Sequence, residues 1–224
     1  MSQRHAIITG ASRGLGAALT LALAEQGWHV AVDGRDAEAL HDGLQHLGDA
    51  VTIVPGDVTD PAHRAALVEA TPRPIHLLVN NAGGLGPSPL PSLAEVPLDA
   101  VRELFDVNVV APLGLIQAAL PHLADDAVVV DITSDASVEP YEGWGTYGLT
   151  KAALDHLGAV LAVERPDLRI LTIDPGDMRT RMHQDAFPGE DISDRPSPEE
   201  SVPGILALID SDRPSGRYRA KEAT

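Results

Sequence analysis

The chain alternates short β-branched runs with longer stretches rich in alanine and leucine, and this alternation restricts its fold more than any other feature. The short runs do not alternate strictly with polar residues, which is typical of strands buried on both faces. The longer stretches have helical spacing or helix-forming composition. Strands are predicted at residues 6–9, 29–32, 51–54, 77–79, 128–132 and 170–173. Helices are predicted at residues 15–26, 36–47, 61–70, 98–122 and 147–164.

A strand followed by a helix, repeated along the chain, predicts right-handed crossovers and one α/β domain over residues 1–224. We expect a doubly wound parallel sheet of about seven strands with helices on both faces. Residues 83–97 and 176–198 contain proline and glycine without a clear period and are interpreted as functional or mobile loops. Ligands of such sheets bind beside the carboxyl ends of the strands.

Composition excludes several classes of function. The formal charge of −17 would repel nucleic acid, so no such partner is expected. The absence of cysteine excludes disulfides, thiolate catalysis and cysteine-bound metals. The nine histidines form no close ligand set, so no metal site is predicted and exposed histidines are expected. With no signal-peptide pattern and no apolar run of about 20 residues, we expect a cytoplasmic protein that does not span a membrane.

A glycine-rich turn joins the first predicted strand to the first predicted helix. In a dinucleotide site, one glycine permits the tight turn, a second lets pyrophosphate approach the backbone, and a third lets the helix pack closely. The helix N-terminus offers unpaired N–H groups to the phosphates. Alone, the cluster also fits an ordinary glycine turn, but its place after the first strand favours the dinucleotide site. The predicted contacts here are Gly10, Ser12, Arg13, Gly14, Leu15 and Gly16.

Residues after the second predicted strand bear on which dinucleotide is bound. An acid at this place binds the ribose 2′-hydroxyl of NAD, whereas an arginine accommodates the 2′-phosphate of NADP. Arg13 and Arg35 are predicted to face that phosphate, so NADP(H) is favoured over NAD(H). The alternative makes Asp33 the ribose-binding acid and Arg35 a solvated residue. Asp57, after the third strand, either accepts a hydrogen bond from the adenine amino group or serves as a turn residue.

Tyr147 and Lys151 are four residues apart at the start of a predicted helix and therefore share one helix face. A phenol with a pKa of about 10 is a poor acid–base catalyst near neutrality. A nearby ammonium group stabilises the phenolate and lowers that pKa. A YxxxK string is common by chance and also fits a tyrosine and a lysine loosely paired on the surface. The other motifs of the chain decide between a catalytic pair and a surface pair.

Taken together and in this order, the motifs resemble those of the short-chain dehydrogenase/reductase family, in its single-domain branch with a Rossmann-type fold. The resemblance covers roughly residues 4–182. It rests on the glycine loop, the run Asn80, Asn81, Ala82 and Gly83, then Asn108, Ser134, Tyr147, Lys151, Pro175, Gly176 and Thr180.

The resemblance implies roles for four catalytic residues. Tyr147 would be the general acid in carbonyl reduction and the general base in alcohol oxidation, while Ser134 would hydrogen-bond the substrate oxygen. Lys151 would lower the pKa of the tyrosine and bind the nicotinamide ribose. Asn108 would hold a water of the proton relay, although it also fits an ordinary polar helix residue. The further cofactor contacts are Asp57, Val58, Asn80, Asn81, Ala82, Gly83, Pro175, Gly176 and Thr180.

These features predict an NADP(H)-dependent oxidoreductase that interconverts a carbonyl and a secondary alcohol. A non-catalytic NADP(H)-binding sensor or scaffold on the same fold is one alternative, and an epimerase or dehydratase of the longer branch is another. The intact tyrosine and lysine favour turnover. Thioesters, sugars, small ketones and polyketides all stay open as substrates. We expect a homodimer or homotetramer formed through the helices at 98–122 and 147–164. Residues interpreted as pocket, lid or simple packing are Trp144, Met178, His183 and Phe187.

Overall fold

Seven parallel strands form one sheet in the order β3-β2-β1-β4-β5-β6-β7 in the computed structural model, which describes residues 3–223. This confirms the predicted doubly wound α/β fold, and β7 is the strand that the sequence analysis did not place. The strands are β1 His5–Ile8, β2 His29–Gly34, β3 Val51–Pro55, β4 Ile75–Asn80, β5 Leu123–Ile132, β6 Arg169–Asp174 and β7 Gly216–Arg219.

Helices connect successive strands. They are α1 Gly14–Glu25, α2 Ala37–Leu44, α3 Pro61–Glu69, α4 Leu98–Phe105, α5 Ala111–Ala119, α6 Gly145–Glu164, α7 Arg181–Ala186 and α8 Pro198–Ile209. The helix predicted at 98–122 is one helical stretch, but a π turn at Asp106–Val110 separates α4 from α5. The helix predicted at 36–47 leaves the α conformation after residue 44.

The interpretation of residues 176–198 as a loop without regular structure is wrong in part, because α7 lies inside it. The hydroxyl of Thr180 accepts a hydrogen bond from the backbone N–H of His183 and so caps the start of α7. Helix α8, which the sequence analysis did not predict, begins with a capping box formed by Ser197 and Glu200.

Two hydrophobic cores lie on opposite faces of the sheet. Because successive strand residues point to opposite faces, Ile8 enters one core and Ile7 the other. Helices α1, α2 and α8 cover the first face, and α3, α5 and α6 cover the second. Aliphatic side chains supply nearly all of both cores, so most aromatic residues lie outside them.

Within residues 3–223, the helical stretch Leu98–His122 is long and apolar enough to cross a membrane by length and composition, and an 18-residue window of it has a mean hydropathy of 1.5. A core helix of a globular protein passes the same test. In this fold Leu115, Ile116 and Ala119 are buried against the sheet, as in such a core helix.

Candidate active site

A cleft of about 1190 Å³ follows the carboxyl edge of the sheet, where the loops after β1 to β6 converge. This is the edge at which ligands of doubly wound sheets bind. Every predicted cofactor-binding residue of the turn after β1 lines the cleft except Gly16. Further predicted residues that line it are Arg35, Asp57, Val58, Asn81, Ala82, Gly83, Ser134, Tyr147, Lys151, Pro175, Gly176 and Thr180.

The glycine loop is packed so tightly that side chains are excluded. A Cβ atom on Gly10, which has a φ of +70°, would lie 2.8 Å from the Cα atom of Ala82. A Cβ atom on Gly16 would lie 2.5 Å from the Gly10 carbonyl oxygen, so Gly16 serves helix packing. Helix α1 begins at Gly14, and the preceding Arg13 gives it no side-chain cap, which leaves its first N–H groups facing the cleft. This cradle fits the phosphates of a dinucleotide.

Asp33 holds the glycine loop from below. It is fully buried, one carboxylate oxygen accepts the Gly10 N–H at 2.7 Å, and the other lies 3.1 Å from Nε2 of His63. Both oxygens are thus engaged within the protein. His63 is buried in this pair, so the expectation of exposed histidines is wrong for this residue.

Arg13 and Arg35 both line the cleft near the end of β2. The guanidinium of Arg13 donates a hydrogen bond to Asp36 at 2.7 Å, and Asp36 also caps α2. One oxygen of Asp57 accepts hydrogen bonds from the backbone N–H and the hydroxyl of Thr59, at 2.9 and 2.8 Å. Asp57 therefore serves as a turn residue, and its other oxygen has no part in that turn.

The two asparagines after β4 have different roles. Asn81 donates hydrogen bonds to the carbonyl oxygens of Thr9 and Gly10, at 2.8 and 3.2 Å, and so joins the β1 and β4 loops. Asn80 is buried and donates to Asp131 at 2.8 Å. The expectation that Asn80 lines the cofactor groove is therefore wrong, because its side chain ties β4 to β5 beneath the cleft.

Ser134, Tyr147 and Lys151 meet in the cleft. Tyr147 and Lys151 lie on the first turns of α6 and are 8% and 5% exposed. Ser134, which follows β5, lines the same cleft as Tyr147. The ammonium group of Lys151 donates to the Ile132 carbonyl at 2.8 Å and lies 5.6 Å from the centre of the Tyr147 ring. The Ser134 hydroxyl donates to Asp135 at 3.0 Å.

Burial sets the electrostatics of this group. It raises the pKa of Tyr147 above its usual value, the nearby Ser134 side chain acts against this rise, and the charges of Asp174 and Asp135 add to it. A role of Lys151 in lowering the pKa of the phenol stays a prediction. Burial also lowers the pKa of Lys151 to about 8, against the opposite effect of nearby carboxylates.

Asn108 lies in the π turn and is almost fully buried. Its amide oxygen accepts the Gly84 N–H at 2.8 Å, and its amide nitrogen donates to the Gly84 carbonyl at 3.0 Å and the Thr150 hydroxyl at 2.9 Å. Both amide protons are thus used to hold the β4 loop against α6. A role of Asn108 in a water relay stays a prediction.

Aromatic residues are concentrated beside Tyr147. The chain has two Phe, two Trp and three Tyr residues, and four of these seven line the cleft. Trp144 packs edge-on against Tyr147 at 5.7 Å between ring centres and lies 6.0 Å from Phe187. Tyr141 donates its hydroxyl proton to Asp135 at 3.0 Å. The sequence analysis did not single out Asp135. Its position directly after Ser134 is the signal that could have identified it as a cleft residue.

Comparison with known proteins places this site in a family. The sequence model of the short chain dehydrogenase family matches residues 4–191. Benzil reductase ((S)-benzoin forming) of Saccharomyces cerevisiae is 36% identical over 194 residues, which cover 80% of this chain and 73% of that protein. Serine 3-dehydrogenase of Rhizobium radiobacter is 35% identical over 78% of this chain and 72% of its own.

A solved structure supports the same assignment. A short chain dehydrogenase from Shigella flexneri, in complex with NADP, is 28% identical to this chain and superposes with a TM-score of 0.89. The superposition covers 99% of this chain and 98% of the other. The chain therefore belongs to the short-chain dehydrogenase/reductase family and is an NAD(P)-dependent oxidoreductase.

Proposed function

We propose that the protein uses NADPH to reduce a ketone to a secondary alcohol, with Tyr147 as the general acid. The observation that carries this proposal is the convergence of Ser134, Tyr147 and Lys151 in one cleft that also contains a phosphate-binding loop. A serine, a tyrosine and a lysine that line one cleft are usual components of acid–base catalysis.

The hydroxyl groups of Ser134 and Tyr147 hold the carbonyl oxygen of the substrate. The nicotinamide ring supplies the hydride to the carbonyl carbon when the cofactor is bound. As the C=O π bond breaks, the proton of the Tyr147 phenol passes to the oxygen and gives the alcohol. A phenol keeps its proton near neutrality, and reduction needs a protonated acid.

The aromatic side chains beside Tyr147 support a proposal for the substrate class. Trp144 and Phe187 give the substrate side of the cleft flat apolar surfaces, on which an aromatic ring stacks favourably. We therefore propose aryl ketones and aryl diketones as substrates, and the benzil reductase relative supports this class. One assay follows NADPH oxidation with benzil or a small aliphatic ketone as the substrate. A second assay follows NADP reduction with serine as the substrate. Benzil should be turned over fastest, and turnover of serine alone would contradict the proposed class.

The position of the charges supports NADP(H) over NAD(H). Arg13 and Arg35 line the cleft, and both oxygens of Asp33 are engaged within the protein. We expect NADPH to bind at least about 10-fold more tightly than NADH, a difference of about 1.4 kcal/mol. Titration followed by nicotinamide fluorescence measures both affinities. Arg35→Gln should weaken NADPH but not NADH, since only NADPH has the 2′-phosphate. Tighter binding of NADH would instead favour Asp33 as the ribose contact.

We further propose a homodimer or homotetramer. Helix α6 and the stretch Leu98–His122 expose apolar side chains, of which Val163 is 81% exposed. Sedimentation velocity should give a mass of two or four chains of 23.5 kDa. The double substitution of Val160 and Val163 by glutamate should dissociate the assembly if α6 lies in the interface, because it would bury unpaired charge. A clean monomer of the unmodified protein would contradict this proposal. The other exposed apolar residues concerned are Leu98, Val110, Leu113 and Leu149.

A further inference from the structure

We infer that Arg217, on the edge strand β7, is a positioning residue that fixes the catalytic serine for carbonyl reduction. This inference rests on the proposed function of Ser134. Arg217 lies 83 residues further along the chain than Ser134, yet its guanidinium reaches the backbone of that residue. Within residues 3–223, the only cleft residue that Arg217 hydrogen-bonds is Ser134, so we expect Arg217 to act through Ser134.

Two donors hold the Ser134 carbonyl oxygen. Nη2 of Arg217 donates to it at 2.9 Å, and the backbone N–H of Ser137 donates to it at 3.1 Å. A carbonyl oxygen has two lone pairs, so these bonds use its full acceptor capacity. The peptide unit that carries Ser134 is thereby fixed, and with it the direction in which the serine side chain leaves the backbone.

The same guanidinium connects Ser134 to the helix that carries the tyrosine and lysine. Nε of Arg217 donates to Asp155 at 3.0 Å, and the same carboxylate oxygen accepts the Ser137 hydroxyl at 2.6 Å. Asp155 lies four residues after Lys151 on α6, hence on the same face of that helix. The hydrogen bonds among Arg217, Ser137 and Asp155 therefore connect the turn at Ser134 to α6.

A third segment joins this set through Asp174, at the end of β6. Its carboxylate lies 3.6 Å from Nη2 of Arg217, and its other oxygen accepts the Gly176 N–H at 2.9 Å. Gly176 is one of the predicted cofactor contacts. The guanidinium thus contacts the segments that present the serine, the catalytic helix and the loop after β6.

The charges and burial of this set explain why an arginine is used. The side chains of Arg217, Asp155 and Asp174 are 25%, 15% and 7% exposed, so their ionic contacts are only partly screened by water. A guanidinium presents several N–H groups in one plane and can bind two acceptors in different directions, which an ammonium group does less well. Loss of Arg217 would leave Asp155 without its arginine partner and Asp174 with Arg219 alone, and it would remove one of the two donors to the Ser134 carbonyl.

The first test compares variants of the full-length protein with benzil and NADPH as substrates. Arg217→Met should lower kcat roughly 10- to 100-fold, because a small misplacement of a catalytic group has effects of that size. The Kd for NADPH should change less than about 3-fold, since Arg217 has no hydrogen bond to the glycine loop and Asp174 keeps its contacts with Arg219 and the Gly176 N–H. The control is Arg219→Met, two residues along the same strand, where the arginine contacts Asp174 at 3.7 Å and Glu222 at 3.9 Å. Its kcat should stay within about 3-fold of the unmodified value.

The second test asks whether Arg217 acts through the serine. In a Ser134→Ala background, Arg217→Met should lower kcat by less than about 3-fold, because the group that Arg217 positions is already gone. If the methionine variant does not fold, Arg217→Lys replaces it, because lysine keeps the charge but lacks the planar guanidinium group. This variant should show a smaller loss of kcat, with the same dependence on Ser134.

Two outcomes would overturn the inference. One is an unchanged kcat in Arg217→Met, and the other is an equal loss in the presence and absence of the Ser134 hydroxyl. Either would leave the proposed reduction intact, since the unmodified protein and Ser134→Ala are measured beside them. Absence of turnover by the unmodified protein with every ketone would instead overturn the proposed function, and this inference with it.

Discussion

Replacing Tyr147 by phenylalanine should lower kcat for ketone reduction by about 10³-fold, the size expected for loss of a general acid. The change removes one oxygen and keeps the ring, so the edge-on packing against Trp144 is preserved. The Kd for NADPH should therefore change little. Steady-state rates and fluorescence titration on the same preparations measure the two quantities.

Tyr218→Phe is the matched control, since it makes the same chemical change on β7, where the hydroxyl donates to the Pro214 carbonyl. It should leave kcat unchanged. If Tyr147→Phe kept more than about a tenth of the activity, another group would have to donate the proton. Tight NADPH binding by the unmodified protein without turnover of any ketone would favour the sensor or scaffold alternative.

Replacing Lys151 by methionine should lower kcat by about 10²-fold at neutral pH, because the ammonium group would no longer assist acid–base chemistry at the phenol. Burial lowers the pKa of Lys151 to about 8, so in the unmodified protein reduction should decline as the pH rises through about 8. Below that pH the ammonium group is charged and activity is highest. In the methionine variant this alkaline decline should be absent.

Several charged groups surround Lys151 and could shape the same profile. Asp131 on β5 and Asp155 on α6 favour its charged form, and the pKa of Asp131 itself is raised to about 6, chiefly by burial. Lys221→Met serves as the control, because Lys221 is the other lysine of the chain and is exposed. An alkaline decline near pH 8 that persists in Lys151→Met would contradict its assignment to Lys151.

The sheet and most of the cleft could be predicted because their signals are local in sequence. A buried strand needs a short apolar run, and a phosphate loop needs glycines at fixed spacing, so both can be read without knowing which segments meet. Helix α8 gave a weaker signal because Pro203 interrupts its pattern. Strand β7 has the sequence GRYR and is only half-buried, so it lacks the apolar run that identified the others.

Partners far apart in sequence could not be predicted. The pairs of Asp33 with His63 and of Arg217 with Ser134 join residues on different elements, and no spacing rule connects them. The same limit applies to Asn80, whose neighbour across the sheet turns it away from the cleft. The direction of the Tyr147 pKa also depends on burial, which the spacing of a tyrosine and a lysine does not reveal.

The order of the strands has a consequence for how the protein folds. Strand β1 pairs with β4 although about 70 residues separate them, so the central part of the sheet forms only after a long stretch of chain is ordered. Because the cleft combines loops from both sides of this pairing, an unfolded or half-folded chain has no place to bind a dinucleotide. A cofactor that binds only the folded state would then raise the apparent stability by about 2.7 kcal/mol at a concentration 100 times its Kd. The cellular supply of nicotinamide cofactor would thus influence how much of the protein escapes proteolysis as well as how fast it works.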